Sequence, residues 1–288
     1  MTALADPHAP LTFYGGPTVA RLGFGAMRIT GPGVWGPPRD EHEVVALLRR
    51  AVDKGVTFID TADSYGPGVS ETLIAKALYP YPPGLVIASK GGFTRPGPGS
   101  WAVDCRPEHL RRVCGESLKR LRLERIELYQ LHTVDHRVPI EESIGALVDL
   151  QREGEIRHIG VSNVSAAELA RARAVAEIVS VQNPYNLRDR SSDGLIDICA
   201  EAGIVFIPYY PLAKGRLAGE PGSPLDRIAE RHDATPRQIA LAWLLQRSPA
   251  MLPIPGTSSI AHLEENLAAA SIRLSAEEFE ILAGRVSS

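Results

Sequence analysis

Short β-branched runs alternate with longer amphipathic stretches along the chain, and eight cycles of that alternation limit the fold more than any other feature. The runs are 19–25, 57–62, 85–90, 126–132, 156–163, 178–184, 204–212 and 251–256. Their near-continuous apolar character is what strands covered on both faces require. Between them the apolar period changes. Val44, Val45, Leu48 and Val52 fall on one helical face, as do Leu110, Val113, Leu118 and Leu121 after Pro107. Residues 141–153, 166–175, 195–202 and 236–246 read the same way. Ser165 with Glu168 three residues on forms a capping box, and Gly55, Gly154 and Gly203 sit just past helix ends.

This pattern, without a linker or composition break, predicts an α/β fold: one (β/α)8 TIM barrel domain over residues 1–288. A doubly wound sheet is the alternative, but the first strand–helix turn lacks a close match to the G-x-G-x-x-G phosphate loop. LTFYGGPTV, residues 11–19, alternates around Gly-Gly and predicts a hairpin before the first barrel strand. Residues 31–39 and 91–107 are long, Gly/Pro-rich connections, expected to be structureless and functional. The tail after Asn266 reads as mostly one short C-terminal helix.

Thirty-one basic against 34 acidic residues leave a net charge of −3, which argues against nucleic-acid or membrane-surface partners. No apolar run reaches the roughly 18 residues of a spanning helix, and no secretory signal pattern is visible, so a cytoplasmic location is expected. Three cysteines without a CxxC read as reduced, packed thiols.

On a barrel, chemistry gathers at the C-terminal ends of the strands. FIDTADSYG puts Asp60 at one such end and Tyr65 in the loop beyond it; IASKGG ends with Lys90, and YQLHTVD with His132. Taken singly, these read as a cap, loop packing, a surface charge and a satisfied rim histidine. Together, four titratable side chains of complementary type converge on one rim. A metal-dependent barrel hydrolase would need several His and Asp ligands at strand ends, and His132 alone stands so; His158 precedes an apolar stretch. No metal is expected.

The segments GFGAM, FIDTADSYG, ASKGG, LHTVD, HIGVSN, VQNPYN, PYYPLAKG and PIPGTSSIAHLEEN, in that order from about Arg21 to Asn266, resemble the successive signatures of the aldo-keto reductase superfamily. RLGFGAMRITGPGVWGPPRD, AEIVSVQNPYN and LAWLLQRSP are similar to its bacterial branch that includes pyridoxal reductases. The resemblance implies a barrel that binds an extended nicotinamide dinucleotide and reduces an aldehyde or ketone, pyridoxal being one candidate. It places Asp60, Tyr65, Lys90 and His132 on the catalytic tetrad. Tyr65 then donates the proton. Lys90 is expected to lower the tyrosine pKa from its usual value of about 10, Asp60 to hold the lysine, and His132 to bond the substrate oxygen.

By the same resemblance Ser162, Asn163 and Gln182 hold the nicotinamide carboxamide and Tyr209 stacks on its ring. Tyr210 and Leu212 approach the pyrophosphate, and Gly25, Ala26 and Met27 belong to the same cofactor set. Gly256, Thr257 and Ser258 lead into a helix starting near Ile260, a ready phosphate site. His262 stands beside it, and Glu265 and Asn266 match the adenine-edge pair. Many NADPH-preferring members carry Lys or Arg where this chain has Gly256, and Arg where it has His262. NADPH is the expected cofactor, with NADH left open. Trp35, Phe93 and Trp101 are candidate substrate walls. A non-catalytic, nucleotide-binding auxiliary subunit of the same fold is the competing reading, and the intact tetrad points away from it. A small carbonyl compound is the expected partner of a monomer.

Overall fold

A computed structural model of the chain describes residues 4–213 and 222–284. The expected hairpin comes first: β1 (Leu11–Thr12) pairs antiparallel with β2 (Thr18–Val19), with Gly15 at φ +60° in the turn. Parallel strands and helices then alternate through β3 (Phe24–Gly25), α1 (Glu41–Asp53), β4 (Phe58–Asp60), α2 (Val69–Leu78) and β5 (Val86–Gly91). The chain next departs from expectation. Residues 91–107 hold a second antiparallel hairpin, β6 (Phe93–Gly97) and β7 (Ser100–Val103), turning at Gly99 with φ +71°. The Pro and Gly residues that suggested a structureless loop are concentrated at its turn.

Alternation resumes with α3 (Pro107–Leu121), β8 (Ile126–Leu131), α4 (Ile140–Glu153), β9 (Ile156–Ser162), α5 (Ala166–Arg173), β10 (Ile178–Gln182), α6 (Asp193–Glu201) and β11 (Val205–Phe206). It ends in helices α7 (Pro224–Arg231), α8 (Pro236–Arg247), α9 (Ile260–Ala268) and α10 (Ala276–Leu282). The tail is therefore mostly not one helix: a short 3-10 turn and an extended stretch separate α9 from α10.

Seven strands form one parallel sheet in the order β11-β10-β9-β8-β5-β4-β3. The expected eighth strand, 251–256, is reduced to an isolated bridge between Met251 and Phe206. Pro253 and Pro255 lack the N–H groups that a full ladder needs. Their carbonyls still accept from Gly23 (2.9 Å) and Gly25 (3.5 Å), while Leu252 N donates to Phe206 O at 2.9 Å. The segment thus links the two edges of the curled sheet by hydrogen bonds.

Two apolar layers follow from this closure. Inside the sheet, Phe58, Val86, Ala88, Leu128, Val179 and Ile254 pack with Leu11, Phe13 and Val19, so the first hairpin plugs the N-terminal end. Phe13 stacks on Phe58 with ring centroids 5.8 Å apart. Outside it, helices bury one stripe each against the strands; α1 turns Val44, Leu47, Leu48 and Ala51 inward, and Asp40 caps it by accepting from His42 N and Glu43 N. Gly55, Gly154 and Gly203 take positive φ beyond their helices, as expected. With its other end plugged, the sheet opens at the C-terminal ends of its strands.

Candidate active site

Strand register decides which side chains meet at that opening. Asp60 lies opposite Ala88, and Lys90 lies opposite Gln130. His132 N donates to Gly91 O at 2.9 Å, which prolongs the pairing by one residue. Lys90 is fully buried and lies directly behind the cavity wall. Its Nζ donates to Asp60 Oδ2 at 2.6 Å and to Thr61 O at 2.8 Å. Asp60 Oδ1 accepts from Gln182 Nε2 at 2.8 Å and from Gln130 Nε2 at 3.4 Å. A buried pair recovers its desolvation cost only when its remaining donors and acceptors are satisfied, and here both carboxylate oxygens are.

Tyr65 and His132 face the cavity from above this pair, ring centroids 5.8 Å apart and edge to face. Burial pushes the Tyr65 phenol well above its usual pKa, and the Asp60 charge adds to that. The expected lowering by Lys90 is not found. The ammonium is committed to Asp60 and Thr61 O and stands 5.2 Å from the ring centroid, so desolvation outweighs it. Burial, then Lys90, holds the His132 imidazole well below its usual pKa, hence neutral. Ser64 Oγ lies 3.5 Å from His132 Nδ1, and Phe93 packs on the imidazole at 4.7 Å between centroids.

A cavity of about 820 Å³ runs outward from these residues. Of the expected cofactor set, Gly25, Met27, Ser162, Asn163, Gln182, Tyr209, Tyr210, Leu212, Gly256, Thr257, Ser258, His262 and Asn266 line it. Tyr209 is held by its hydroxyl, which donates to Asn163 Oδ1 at 2.7 Å. Asn163, at φ +58°, anchors back through Nδ2 to His132 O at 2.9 Å. Gln182 spends its amide N–H on Asp60, which leaves Oε1 for a ligand. Gly25 and Gly256 approach each other so closely that a Cβ on Gly256 would stand 2.7 Å from Gly25 O.

Besides Lys90, which lies behind the wall, three expected residues do not reach the cavity. Ala26 is buried in the 3-10 turn Ala26–Ile29, where its carbonyl accepts from Ser70 Oγ. Glu265 turns away to accept from Thr235 Oγ1 at 2.7 Å, beneath the start of α8. Trp35 lies under the Arg95 guanidinium, 5.5 Å from it, and Phe93 and Trp101 form the wall instead.

Two arginines that sequence reasoning missed line the outer end. Arg28 follows the strand end carrying Gly25, and its Cγ lies 3.7 Å from where a Gly256 side chain would begin. Arg237 opens α8. Neither has a hydrogen-bond or ion-pair partner among the described residues. The N-terminus of α9 meets them, capped by Ser259 and without an acidic residue in its first turn. Asp60 is the single carboxylate on the cavity wall among the described residues.

The chain and its fold have known counterparts. The aldo/keto reductase family profile matches residues 21–285. Pyridoxine 4-dehydrogenase of Escherichia coli is 45% identical over 93% of this chain and 95% of its own. The crystal structure of the thermostable aldo-keto reductase Tm1743 with the inhibitor epalrestat superposes with a TM-score of 0.87 at 35% identity, over 96% of this chain and 100% of that one. An aldo/keto reductase from Klebsiella pneumoniae in complex with NADP and acetate gives 0.81 at 27% identity, over 97% and 96%. The chain belongs to the aldo/keto reductase family. Its class of activity is that of an oxidoreductase acting on aldehydes and ketones.

Proposed function

We propose that this protein is an NADPH-dependent reductase of aldehydes, aromatic ones among them, working as a single barrel domain and a monomer in the cytoplasm. The carrying observation is the polarity of one continuous cavity. It has a buried, neutral acid–imidazole pair at its inner end and, at its outer end, cations without a partner among the described residues. The described residues of one chain line it, and three buried, unbridged cysteines fit a reducing compartment.

The residues fit the cofactor. Gly25 and Gly256 leave backbone bare where a phosphate chain must pass, and Tyr209 offers a ring fixed by Asn163. Ser162 Oγ and Gln182 Oε1 are placed for a carboxamide. Arg28, Arg237, His262 and the α9 N-terminus suit the 2′-phosphate on the adenosine ribose, which NADH lacks. When bound, the reduced nicotinamide supplies the hydride.

The protein supplies the rest. Tyr65 is a phenol held protonated by burial, so it reaches the reaction as an acid and gives its Oη proton to the carbonyl oxygen. The phenolate left behind lies near the Lys90 ammonium, 5.2 Å from the ring centroid, whose positive charge favours it although burial weighs more. A neutral His132 that accepts from Ser64 Oγ at Nδ1, 3.5 Å away, carries its proton on Nε2, the tautomer that can donate to the same oxygen. Lys90 and Asp60 keep the floor fixed and dry.

The 45% identity to pyridoxine 4-dehydrogenase supports pyridoxal as a substrate. A panel of aldehydes and ketones that includes pyridoxal, followed at the nicotinamide absorbance with NADPH and with NADH, tests the reading. Turnover of an aldehyde with NADPH preferred is expected. A tightly held nucleotide with no turnover on any carbonyl would favour the auxiliary-subunit reading instead.

A further inference from the structure

We propose that Arg95 is a positioning residue that fixes Trp101 as the platform for an aromatic substrate ring and ties that platform to the loop bearing Tyr65. The inference deepens the carbonyl-reductase reading and rests on it. Arg95 sits on β6, in the hairpin that replaces an expected loop. Its guanidinium carbon stands 3.8 Å from the Trp101 ring centroid. The donors are distributed over three segments of the rim. Nε donates to Ser100 O at 2.9 Å, Nη1 to Val34 O at 2.7 Å and to Ser64 O at 3.0 Å, and Nη2 to Gly33 O at 3.0 Å.

Every one of those acceptors is a backbone carbonyl, so the charge is solvated but not neutralised by them. Val34, one of the residues it grips, is a β-branched residue at φ +57°. Such a conformation persists only where surrounding contacts over-determine it. The 31–36 loop is therefore held in a shape it would not keep alone, and Arg95 is the group holding it against the hairpin.

What this order serves is visible in the rings. Trp101 is 39% exposed and lines the cavity. Phe93 meets it edge to face at 5.5 Å and meets His132 at 4.7 Å. An unbroken series of contacts runs from Arg95 through Trp101 and Phe93 to the imidazole, and a second runs from Arg95 through Ser64 to its neighbour Tyr65. A cation over an indole holds the ring in place, and a fixed ring offers a planar aromatic partner a face to stack on. The substrate class this wall takes is a planar aromatic or heteroaromatic aldehyde, an anionic ring substituent being favoured by the unneutralised guanidinium.

The test uses full-length wild type, Arg95→Met, Arg95→Lys and Trp101→Leu, assayed with 2-naphthaldehyde and with butanal. Arg95→Met and Trp101→Leu are each expected to lower the preference for 2-naphthaldehyde over butanal about tenfold, through KM rather than kcat. The double variant should lose no more than Trp101→Leu alone, because both act through one platform. Arg95→Lys, which keeps the charge and loses the fork, falls between. Trp101→Leu leaves all four Arg95 hydrogen bonds available, so the inference stays testable if Arg95→Met does not fold. An unchanged preference in Trp101→Leu, or losses that multiply in the double variant, overturns it. A wild type that reduces neither aldehyde overturns the carbonyl-reductase reading beneath it.

Discussion

The two ends of the cavity solve opposite problems. At the inner end the charges are already matched: Lys90 and Asp60 are buried against each other, with Gln182, Gln130 and Thr61 O satisfying what remains. At the outer end Arg28 and Arg237 reach toward the cavity without partners among the described residues, and His262 is exposed beside them. Strands build the first, whose geometry is set by register before any ligand arrives. Helix starts and a 3-10 turn build the second, where water screens the cations until a phosphate replaces it. Preorganisation belongs where charge develops during reaction, and open cationic sites belong where a ligand brings its own charge.

The largest effect should come from removing the acid. Tyr65→Phe is expected to lower carbonyl turnover by about 10³-fold or more, in line with the loss of a positioned general acid. Cofactor affinity, measured by fluorescence titration, should hardly move, since the phenol serves only the inner end. Turnover within a few-fold of wild type would assign the proton to another group. Lys90→Met comes next. It leaves Asp60 as a buried carboxylate without its cation and is expected to cost about 3–5 kcal/mol of stability, with most of the activity. Adding Asp60→Asn should restore much of that stability in a denaturant titration and none of the activity. Equal stability of Lys90→Met and wild type would show that the inner end is not dry.

These contrasts also mark what could be read in the sequence. Asp60, Lys90 and His132 end apolar runs, so strand periodicity alone brought them to one rim. That Lys90 is buried, and that burial then dominates the Tyr65 pKa, depends on the packing of four strands and has no local signature. The closing segment 251–256 was legible as a strand by its apolar side chains, but its prolines limit the ladder. The 93–103 hairpin was hidden because its turn residues resembled a breaker. Arg28 was invisible as a ligand group, since an arginine in a short turn reads as a surface charge. It gains its place only when the first and last barrel segments close and set it beside Gly256. The missing side chain at Gly256 was the available clue, because a cation absent there invites one from a neighbour.

Asp63 sharpens the picture of a dry inner end one layer further back. Burial, and then the Glu71 charge, raises its pKa to about 8 from 3.8, and its Oδ1 has no hydrogen-bond partner among the described residues. The folded protein keeps this proton up to about pH 8, whereas the unfolded chain releases it near pH 4. The folded state thus binds more protons in that window, and stability falls as pH rises through it. Asp63→Asn cannot ionise and keeps the shape. Its Tm should match wild type near pH 4 and exceed it by several degrees at pH 8–9. A Tm difference independent of pH would mean that Asp63 is already ionised in the fold.

The smallest effect, and the one that addresses the outer end directly, is expected from Arg28→Ala. The residue touches none of the reacting groups and contributes one charge among several, so kcat should be retained. One charge-assisted contact contributes about 1.5 kcal/mol, which corresponds to roughly tenfold in the NADPH-over-NADH preference. Because the site is open, the KM for NADPH in wild type should rise with salt, and less steeply once Arg28 is gone. Arg237→Ala should act in the same direction, and the pair should lose more than either alone, as expected of two separate donors to one phosphate. Loss of affinity for NADH in equal measure would move Arg28 from the ribose phosphate to the pyrophosphate that both cofactors share. The outer end would then bind dinucleotides without distinguishing them, and selectivity would have to rest on His262 and the α9 N-terminus.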